Sequence, residues 1–202
     1  MIKAVIFDLG NVLLYFDHQI IYQRLEQYLE SPSTLQLKQD TVREQIQLFE
    51  RGRINADEFY DSLTRILDFQ GLTQKQFERI WTEIFWLNDE LLSLLPSLRK
   101  QVSLHMLSNT NALHFEFARR AFPEVFRWFS TITLSYEVET SKPDIRIFQH
   151  VVNEAKVTPA ECLYFDDINR HIVGATELGI CAYQYHSVQS VNDICRLYDI
   201  IV

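Results

Sequence analysis

The chain has 202 residues, of which 47 % are hydrophobic and 23 % are charged, and its formal net charge is −8. This length suits one compact domain or a core with one insertion. Because the chain is acidic and has no basic cluster, it is a poor candidate for binding nucleic acid or an anionic membrane. Three widely spaced cysteines, no membrane-length apolar run and no signal peptide predict a cytoplasmic protein without a disulfide framework or a zinc site.

The first predicted element is a short apolar strand over 4–7, which ends at Asp8. An unbroken apolar strand is typical of a parallel sheet that is buried on both faces. This strand is the first of several that alternate with helical patterns, and the alternation predicts an α/β fold with helices on both faces of a parallel sheet. The further strands are predicted over 102–107, 131–134, 162–165 and 180–183, and the helices between them over 111–121, 144–155 and 168–178.

Residues 16–88 follow a different pattern, because they contain no convincing strand. Four successive helices are predicted there, and Asn55 and Thr73 are expected to cap the third and the fourth. Helices inserted after the first strand favour a separate cap subdomain, although they would also fit as helices packed on the sheet. We therefore predict a core formed by residues 1–15 and 89–202, with an inserted four-helix cap over 16–88.

Polar side chains stand at the predicted strand ends and in one loop, along the edge where an open parallel sheet binds its ligands. Each of them alone fits an ordinary strand end, turn or helix cap, and the ordered set is what favours a functional site. In chain order they are Asp8, Ser108 with Asn109, Lys142, and Asp166 with Asp167.

This set supplies what hydrolysis of a phosphate monoester requires. A carboxylate that attacks a phosphate dianion meets repulsion between like charges, and Mg²⁺ held by oxygen ligands reduces it. An ammonium group and a hydroxyl group hold the phosphoryl oxygens. The adjacent carboxylates of Asp166 and Asp167 favour a divalent cation, because they would otherwise repel each other. The sequence therefore predicts a hydrolase that removes phosphate from a small molecule, with Asp8 as nucleophile and Mg²⁺ as cofactor.

The segments that carry these residues resemble the motifs of haloacid dehalogenase-like hydrolases. They are VIFDLGNV at 5–12, LSNT at 107–110, SKPD at 141–144, and YFDD at 164–167 followed by GATELG at 174–179. The resemblance extends over nearly the whole chain and implies a Rossmann-like core with a helical cap inserted after the first motif. Within the family, the motifs look most like those of bacterial α-D-glucose-1-phosphate phosphatases.

The resemblance implies a magnesium site at the first and fourth motifs. Asp8 corresponds to the nucleophile, which is also a ligand of Mg²⁺ through its carboxylate. Asp166 corresponds to a second carboxylate ligand. The backbone carbonyl of Gly10 is expected to supply a third oxygen.

The second and third motifs imply the residues that bind phosphate. Ser108 and Asn109 are expected to contact the phosphoryl group that is transferred. Lys142 is expected to neutralise the charge of that group. Asp167 is expected either to orient Lys142 or to bind a water molecule on the metal.

Gly10 departs from the family pattern, because the usual phosphatase has an acid at this position. That acid protonates the leaving alcohol and later activates water, and its loss costs on the order of 10²–10⁴ in rate. An anomeric hydroxyl group is more acidic than an ordinary alcohol, so a sugar 1-phosphate needs less protonation as it leaves. Gly10 therefore favours a sugar 1-phosphate as the substrate.

Two other functions fit parts of the sequence. A 2-haloacid dehalogenase shares the aspartate nucleophile but needs no metal, and the paired Asp166 and Asp167 argue against it. A non-catalytic protein that binds a phosphorylated metabolite would explain Gly10, but not the presence of the other site residues. The expected partner is a small-molecule phosphate ester rather than nucleic acid or a membrane, and the chain is expected to be a monomer or a homodimer.

Four further residues are weaker candidates. Asp17 and His18 lie near the predicted junction of core and cap, where they would approach a substrate, but helix capping and a surface position fit them equally well. His105 lies in a strand pattern and is predicted to be buried in the core. His171 is predicted to lie on the surface of a helix.

Overall fold

The computed structural model describes residues 1–31 and 33–201, so Pro32 of the predicted cap and Val202 of the predicted core lie outside the described residues. The strands are β1 (Ala4–Phe7), β2 (Leu14–Phe16), β3 (Phe85–Leu87), β4 (Ser103–Ser108), β5 (Thr131–Leu134), β6 (Cys162–Asp166) and β7 (Cys181–Gln184). Five of them form one parallel sheet in the order β5-β4-β1-β6-β7, and β2 and β3 form a separate ribbon.

The central strand β1 has a parallel neighbour on each side. Residues 4–7 pair with 103–106 of β4 and with 162–165 of β6. All four residues of β1 are buried, which explains why the strand is apolar without alternation. Consequently, the residues that follow β1, β4 and β6 come together at one edge of the sheet.

Helices cover both faces of this sheet. On one face, α6 (Asp89–Leu98) and α11 (Val188–Leu197) pack in a hydrophobic cluster with Val5 and Phe7. On the other face, α9 (Ile145–Ala155) and α10 (Asn169–Glu177) pack with Ala4 and Ile6. The predicted α/β fold is confirmed. Among the described residues the helices are α1 (Gln19–Leu25), α2 (Ser33–Leu37), α3 (Gln39–Glu50), α4 (Ala56–Leu67), α5 (Gln74–Thr82), α6 (Asp89–Leu98), α7 (Ala112–Ala121), α8 (Pro123–Phe126), α9 (Ile145–Ala155), α10 (Asn169–Glu177) and α11 (Val188–Leu197).

Side-chain caps fix where two helices next to the site begin. The Asn111 side chain accepts a hydrogen bond of 3.0 Å from the backbone N–H of His114 and caps α7. Asp144 accepts one of 2.9 Å from the backbone N–H of Arg146 and caps α9. Each cap lies directly after predicted site residues, so it also fixes the course of the loop that carries them.

Helices α1 to α5 form a second hydrophobic cluster of their own, which includes Phe49, Phe59 and Trp81. Asn55 and Thr73 each form a capping box at the start of α4 and α5, as their sequences predict. The described residues contain five helices in this segment rather than the predicted four, because α2 is additional. The helix predicted over 17–30 is α1 followed by a 3₁₀ turn over Glu26–Tyr28.

A two-stranded ribbon joins the helical segment to the sheet. The antiparallel strands β2 and β3 pair Leu14 with Leu87 and Phe16 with Phe85. The prediction that residues 16–88 contain no strand is therefore wrong at both ends. Each strand has three residues, which is too short for a period of two to stand out in the sequence. No helix in the described part of the chain is long and apolar enough to cross a membrane.

Candidate active site

The carboxyl edge of the sheet brings the predicted site residues together. Asp8 follows β1, and its backbone N–H donates a hydrogen bond of 2.9 Å to the carbonyl of Phe165. Ser108 and Asp166 end the two strands that flank β1. Lys142 enters from the loop before α9 and is buried. This is the arrangement that parallel neighbours in the order β4-β1-β6 dictate.

Lys142 is the electrostatic centre of the site. Its Nζ lies 2.9 Å from Asp8 Oδ1 and 2.6 Å from Asp166 Oδ2, and it donates to the carbonyl of Leu107 at 3.2 Å. Burial disfavours a charged ammonium group, but the two carboxylates outweigh this and raise the pKa of Lys142. The side chain is therefore charged although it is withdrawn from water.

Asp166 is fully buried and already has several donors. Besides Lys142, its oxygens accept hydrogen bonds from the Tyr164 hydroxyl, from the backbone N–H of Ile168 at 2.8 Å and from His171 Nδ1 at 3.0 Å. Burial alone would raise the pKa of Asp166, but the contacts with Lys142 and His171 lower it. Its carboxylate is therefore held ionised by the protein itself.

Asp167 points the other way and lines an open cavity with Asp8. Its Oδ2 accepts a hydrogen bond of 3.3 Å from Asn11. Of the two roles predicted for Asp167, orientation of Lys142 is wrong, because Lys142 contacts Asp166 instead. Binding of a water molecule on the metal stays a prediction. Asp166 is the last residue of β6 and turns into the sheet, whereas Asp167 lies beyond the strand and faces the cavity.

The carboxylates of Asp8, Asp166 and Asp167 form a cluster that fits a cation, because one oxygen from each lies within 4.8 Å of the others. Burial raises the pKa of Asp8 to about 7, and the charges of Asp166 and Asp167 add to the effect while Lys142 opposes it. Burial and the neighbouring Asp166 also raise the pKa of Asp167. Two carboxylates that face one cavity with raised pKa values suit a divalent ion with oxygen ligands.

The cavity beside these carboxylates has a volume of about 290 Å³, enough for a small molecule. Ser108 lines it close to Asp8. Asn109 also lines it, but its side chain is engaged with the backbone of Lys142: the amide donates to the carbonyl at 3.0 Å and accepts from the N–H at 2.8 Å. The Asn109 side chain therefore positions Lys142, a role the sequence did not suggest.

Phe16 occupies the space beside Gly10 where an acidic side chain would stand. A Cβ atom at position 10 would lie 2.7 Å from the Phe16 ring. That ring in turn packs on the His18 ring, with 4.7 Å between centroids. The missing acid is thus accompanied by an aromatic side chain that fills its place.

We therefore expect Gly10→Asp alone to destabilise the protein and to leave phosphate release at or below the wild-type rate. The Cβ contact forces the Phe16 ring to move, and the new carboxylate adds negative charge beside Asp8 and Asp167. The double variant Gly10→Asp, Phe16→Ala has room for the carboxylate. In thermal unfolding and phosphate-release assays, it should recover activity relative to Gly10→Asp. A stable and more active single variant would contradict this packing.

The sequence predicts the wrong position for His171 and does not single out His114. His171 is buried against Asp166 rather than on a helix surface, and its Nε2 has no hydrogen-bond partner among the described residues. His114 lines the cavity, donates from Nε2 to the carbonyl of Trp81 at 2.9 Å and accepts at Nδ1 from Asn111. Burial lowers the pKa of His114 to about 3, so the ring is neutral. Of the remaining candidates, His18 lines the cavity, whereas Asp17 accepts a hydrogen bond from the backbone N–H of Gln19 at the start of α1. The prediction that His105 is buried is confirmed.

Comparisons with known proteins agree with this geometry. The family model described as haloacid dehalogenase-like hydrolase matches residues 2–179. The chain belongs to this family. The structure of a magnesium complex of a family enzyme from Bacteroides thetaiotaomicron is similar, with a TM-score of 0.85 and 27 % identity, covering 96 % of this chain and 98 % of that one.

Two relatives of this chain are named phosphatases. A D-ribitol-5-phosphate phosphatase of Bacteroides thetaiotaomicron is 28 % identical over 191 residues, which are 91 % of this chain and 92 % of the relative. A sesquiterpene phosphatase of Aspergillus oryzae is 27 % identical and covers 88 % and 87 % of the two chains. The relatives thus differ widely in the organic part of their substrates. Membership in the family makes this protein a hydrolase. The substrate depends on the residues that line its own cavity.

Proposed function

We propose that this protein is a Mg²⁺-dependent phosphatase that acts on a small phosphorylated sugar or polyol. The observation that carries the proposal is Lys142, which bridges the buried Asp166 and Asp8 at the end of a cavity. A buried ammonium beside a carboxylate nucleophile suits a substrate with two negative charges. The relatives named as phosphatases support the same reaction.

In the proposed reaction, a carboxylate oxygen of Asp8 attacks phosphorus. A bond forms between that oxygen and phosphorus, and the ester P–O bond breaks with its electron pair on the leaving oxygen, which takes up a proton. Water then hydrolyses the aspartyl phosphate, and Asp8 and inorganic phosphate are released. Lys142 and the N–H of Leu9, which donates at 2.7 Å, both contact Asp8 Oδ1 and hold the carboxylate in place.

Mg²⁺ is the cofactor of this proposal, and Asp8, Asp167 and the carbonyl of Gly10 are its ligands. Among the described residues no backbone hydrogen bond uses the Gly10 carbonyl, and Gly10 lines the cavity. When bound, the ion neutralises the phosphate charge that would repel the carboxylates. Asp166, which the sequence predicts as a ligand, completes the carboxylate cluster, but its oxygens already accept hydrogen bonds from Lys142 and Ile168, so the proposal assigns it to holding Lys142.

Residues 16–88 form the proposed cap. The proposed core consists of residues 1–15 and 89–202. The helices α1 to α5 have their own hydrophobic cluster, separate from those of the sheet, which supports this division. Phe16, His18 and Glu50 of this segment line the cavity together with Asp8. The proposed cap therefore forms part of the wall around the substrate.

Two considerations favour different substrates within this class. With no acid at Gly10, a sugar 1-phosphate is favoured because its leaving group needs least protonation. The phosphatase named for D-ribitol 5-phosphate points instead to the ester of a primary alcohol. Both are small enough for a cavity of about 290 Å³, and both are rich in hydroxyl groups.

The proposal is tested by phosphate release from α-D-glucose 1-phosphate, D-ribitol 5-phosphate and p-nitrophenyl phosphate. We expect release with Mg²⁺ and a loss of at least about 10²-fold after treatment with EDTA, restored by added Mg²⁺. Halide release from 2-chloropropionate, measured in the same samples, is the control for a dehalogenase. Halide release without metal, or no phosphate release from any ester, would overturn the proposal.

A further inference from the structure

We propose that Glu50 binds the hydroxyl-bearing end of the substrate and thereby selects phosphorylated sugars or polyols over apolar phosphate esters. This inference deepens the proposed function and depends on it. Glu50 is the last residue of α3, and its side chain lines the same cavity as Asp8. No motif in the sequence singles it out.

The Glu50 carboxyl group is available to a ligand. It is partly buried, and it makes no hydrogen bond or ion pair with another described residue. Burial raises the pKa of Glu50 to about 7, although Arg51 and Arg170 oppose the effect. A desolvated carboxyl group without a partner is unfavourable in the empty protein, and hydroxyl groups of a ligand would satisfy it in either ionisation state.

Glu50 and Asp8 line the cavity from different elements, because Glu50 ends α3 and Asp8 follows β1. Among the described residues, none of the ion pairs and side-chain hydrogen bonds of Asp8 and Lys142 involves Glu50. The proposal therefore assigns Glu50 to the part of the substrate that does not carry the phosphate. Arg170 also lines the cavity and offers donors that suit the same hydroxyl groups.

The backbone at Glu50 is fixed to the core, which gives the carboxyl group a defined position. The Ser135 hydroxyl lies 2.6 Å from the Glu50 carbonyl, and it also accepts a hydrogen bond of 3.0 Å from the N–H of Thr110, next to Ser108 and Asn109. Two residues on, Gly52 has φ +65°, and a Cβ there would lie 2.2 Å from the Tyr136 carbonyl oxygen. The end of α3 thus packs directly on the loop after β5.

A carboxyl group in this position discriminates between substrates, because it loses its hydrogen bonds when the substrate has no hydroxyl group. A site built to hydrogen-bond a hydroxyl group rejects an analogue that lacks it, because the buried polar group is then left without a partner. A long apolar chain such as a sesquiterpene offers no such partner. The same reaction at Asp8 would therefore be confined to substrates with hydroxyl groups opposite Glu50.

The test uses two esters with the same five-carbon chain and primary leaving group, D-ribitol 5-phosphate and n-pentyl phosphate. The full-length protein is loaded with Mg²⁺, and thermal unfolding verifies that each variant is folded. We expect Glu50→Ala to lower the ratio of kcat/KM for ribitol phosphate over pentyl phosphate at least about 30-fold, mainly through KM. Glu50→Gln, which retains hydrogen-bonding groups, should recover part of the ratio. Glu44→Gln, an exposed glutamate on the same helix, should leave it unchanged.

Two results would overturn the inference. The first is a ratio that Glu50→Ala does not change; if kcat/KM falls equally for both esters, Glu50 acts in the reaction itself or in the fold. The second is a wild-type enzyme that prefers pentyl phosphate. The proposed phosphatase reaction has a separate readout, because it fails when the wild type releases no phosphate from any ester or releases halide without metal.

Discussion

Asp8→Asn is expected to lower phosphate release by at least about 10³-fold while the protein stays folded. An amide oxygen does not attack phosphorus, so the aspartyl phosphate cannot form. The substitution keeps the shape of the side chain, and the amide carbonyl can still accept from Lys142 and from the N–H of Leu9. Because burial already disfavours the ionised form of Asp8, its neutral replacement should keep or raise the melting temperature.

The control for this experiment is Asp193→Asn, which removes an exposed carboxylate on α11 far from the cavity. It should leave both phosphate release and the melting temperature unchanged. Phosphate release and circular dichroism melting, measured on the same preparations, separate lost chemistry from lost folding. Asp8→Asn with more than about a tenth of the wild-type rate would mean that another residue is the nucleophile.

Lys142→Met is expected to impair both stability and activity. Removal of the ammonium group leaves Asp8 and Asp166 as buried carboxylates without a counter-charge, and breaking a buried ion pair in this way costs about 3–5 kcal/mol in the free energy of unfolding. Loss of the positive charge beside phosphorus should lower phosphate release at least about 10²-fold. Urea unfolding and phosphate release measure the two effects.

The stability loss in Lys142→Met should depend on pH. In the wild type the pKa of Asp166 is lowered, so its ionised form contributes stability above its ordinary pKa of about 3.9, and this contribution is lost as the pH falls further. In the variant the largest opposing charge, Lys142, is absent and His171 alone opposes burial electrostatically, so that pKa rises. The folded variant then takes up a proton on acidification, so its deficit should be largest near pH 7 and smaller near pH 5.

A double variant identifies the cause of the stability loss in Lys142→Met. Lys142→Met with Asp166→Asn removes one of the two unpaired charges, and it should regain part of the stability that Lys142→Met loses. If the single variant loses less than about 1 kcal/mol at pH 7, or if Asp166→Asn adds a further loss, the ion pair does not hold this part of the fold together.

The sheet and the position of the site could be predicted because both depend on local patterns. Unbroken apolar runs identify the buried strands, and the edge at which Asp8 and Ser108 meet follows from strands that run parallel. The contact of Lys142 with Asp166 rather than with Asp167 could not be predicted in this way. Adjacent residues at a strand end point in opposite directions, and the register of β6 decides which of them faces the cavity.

The remaining site residues come from tertiary contacts that leave no signal in sequence spacing. Glu50 reads as an ordinary acidic residue on a helix, and only the packing of α3 against the loop after β5 brings it into the cavity. Phe16 reads as part of an apolar run, yet its ring fills the space beside Gly10. His171 is five residues from Asp166, and the turn between β6 and α10 brings the two side chains together.

The ribbon of β2 and β3 has a mechanical consequence. The chain crosses between the sheet and the helices α1 to α5 twice, and these two crossings are hydrogen-bonded to each other. The helices are therefore joined to the sheet by one band of paired strands rather than by two independent segments, and the packing of α3 on the loop after β5 holds them against the core as well. Phe16 ends this band and lies against both Gly10 and His18. Phe16 also lines the cavity, so a displacement of the band would change the shape of the cavity beside Asp8.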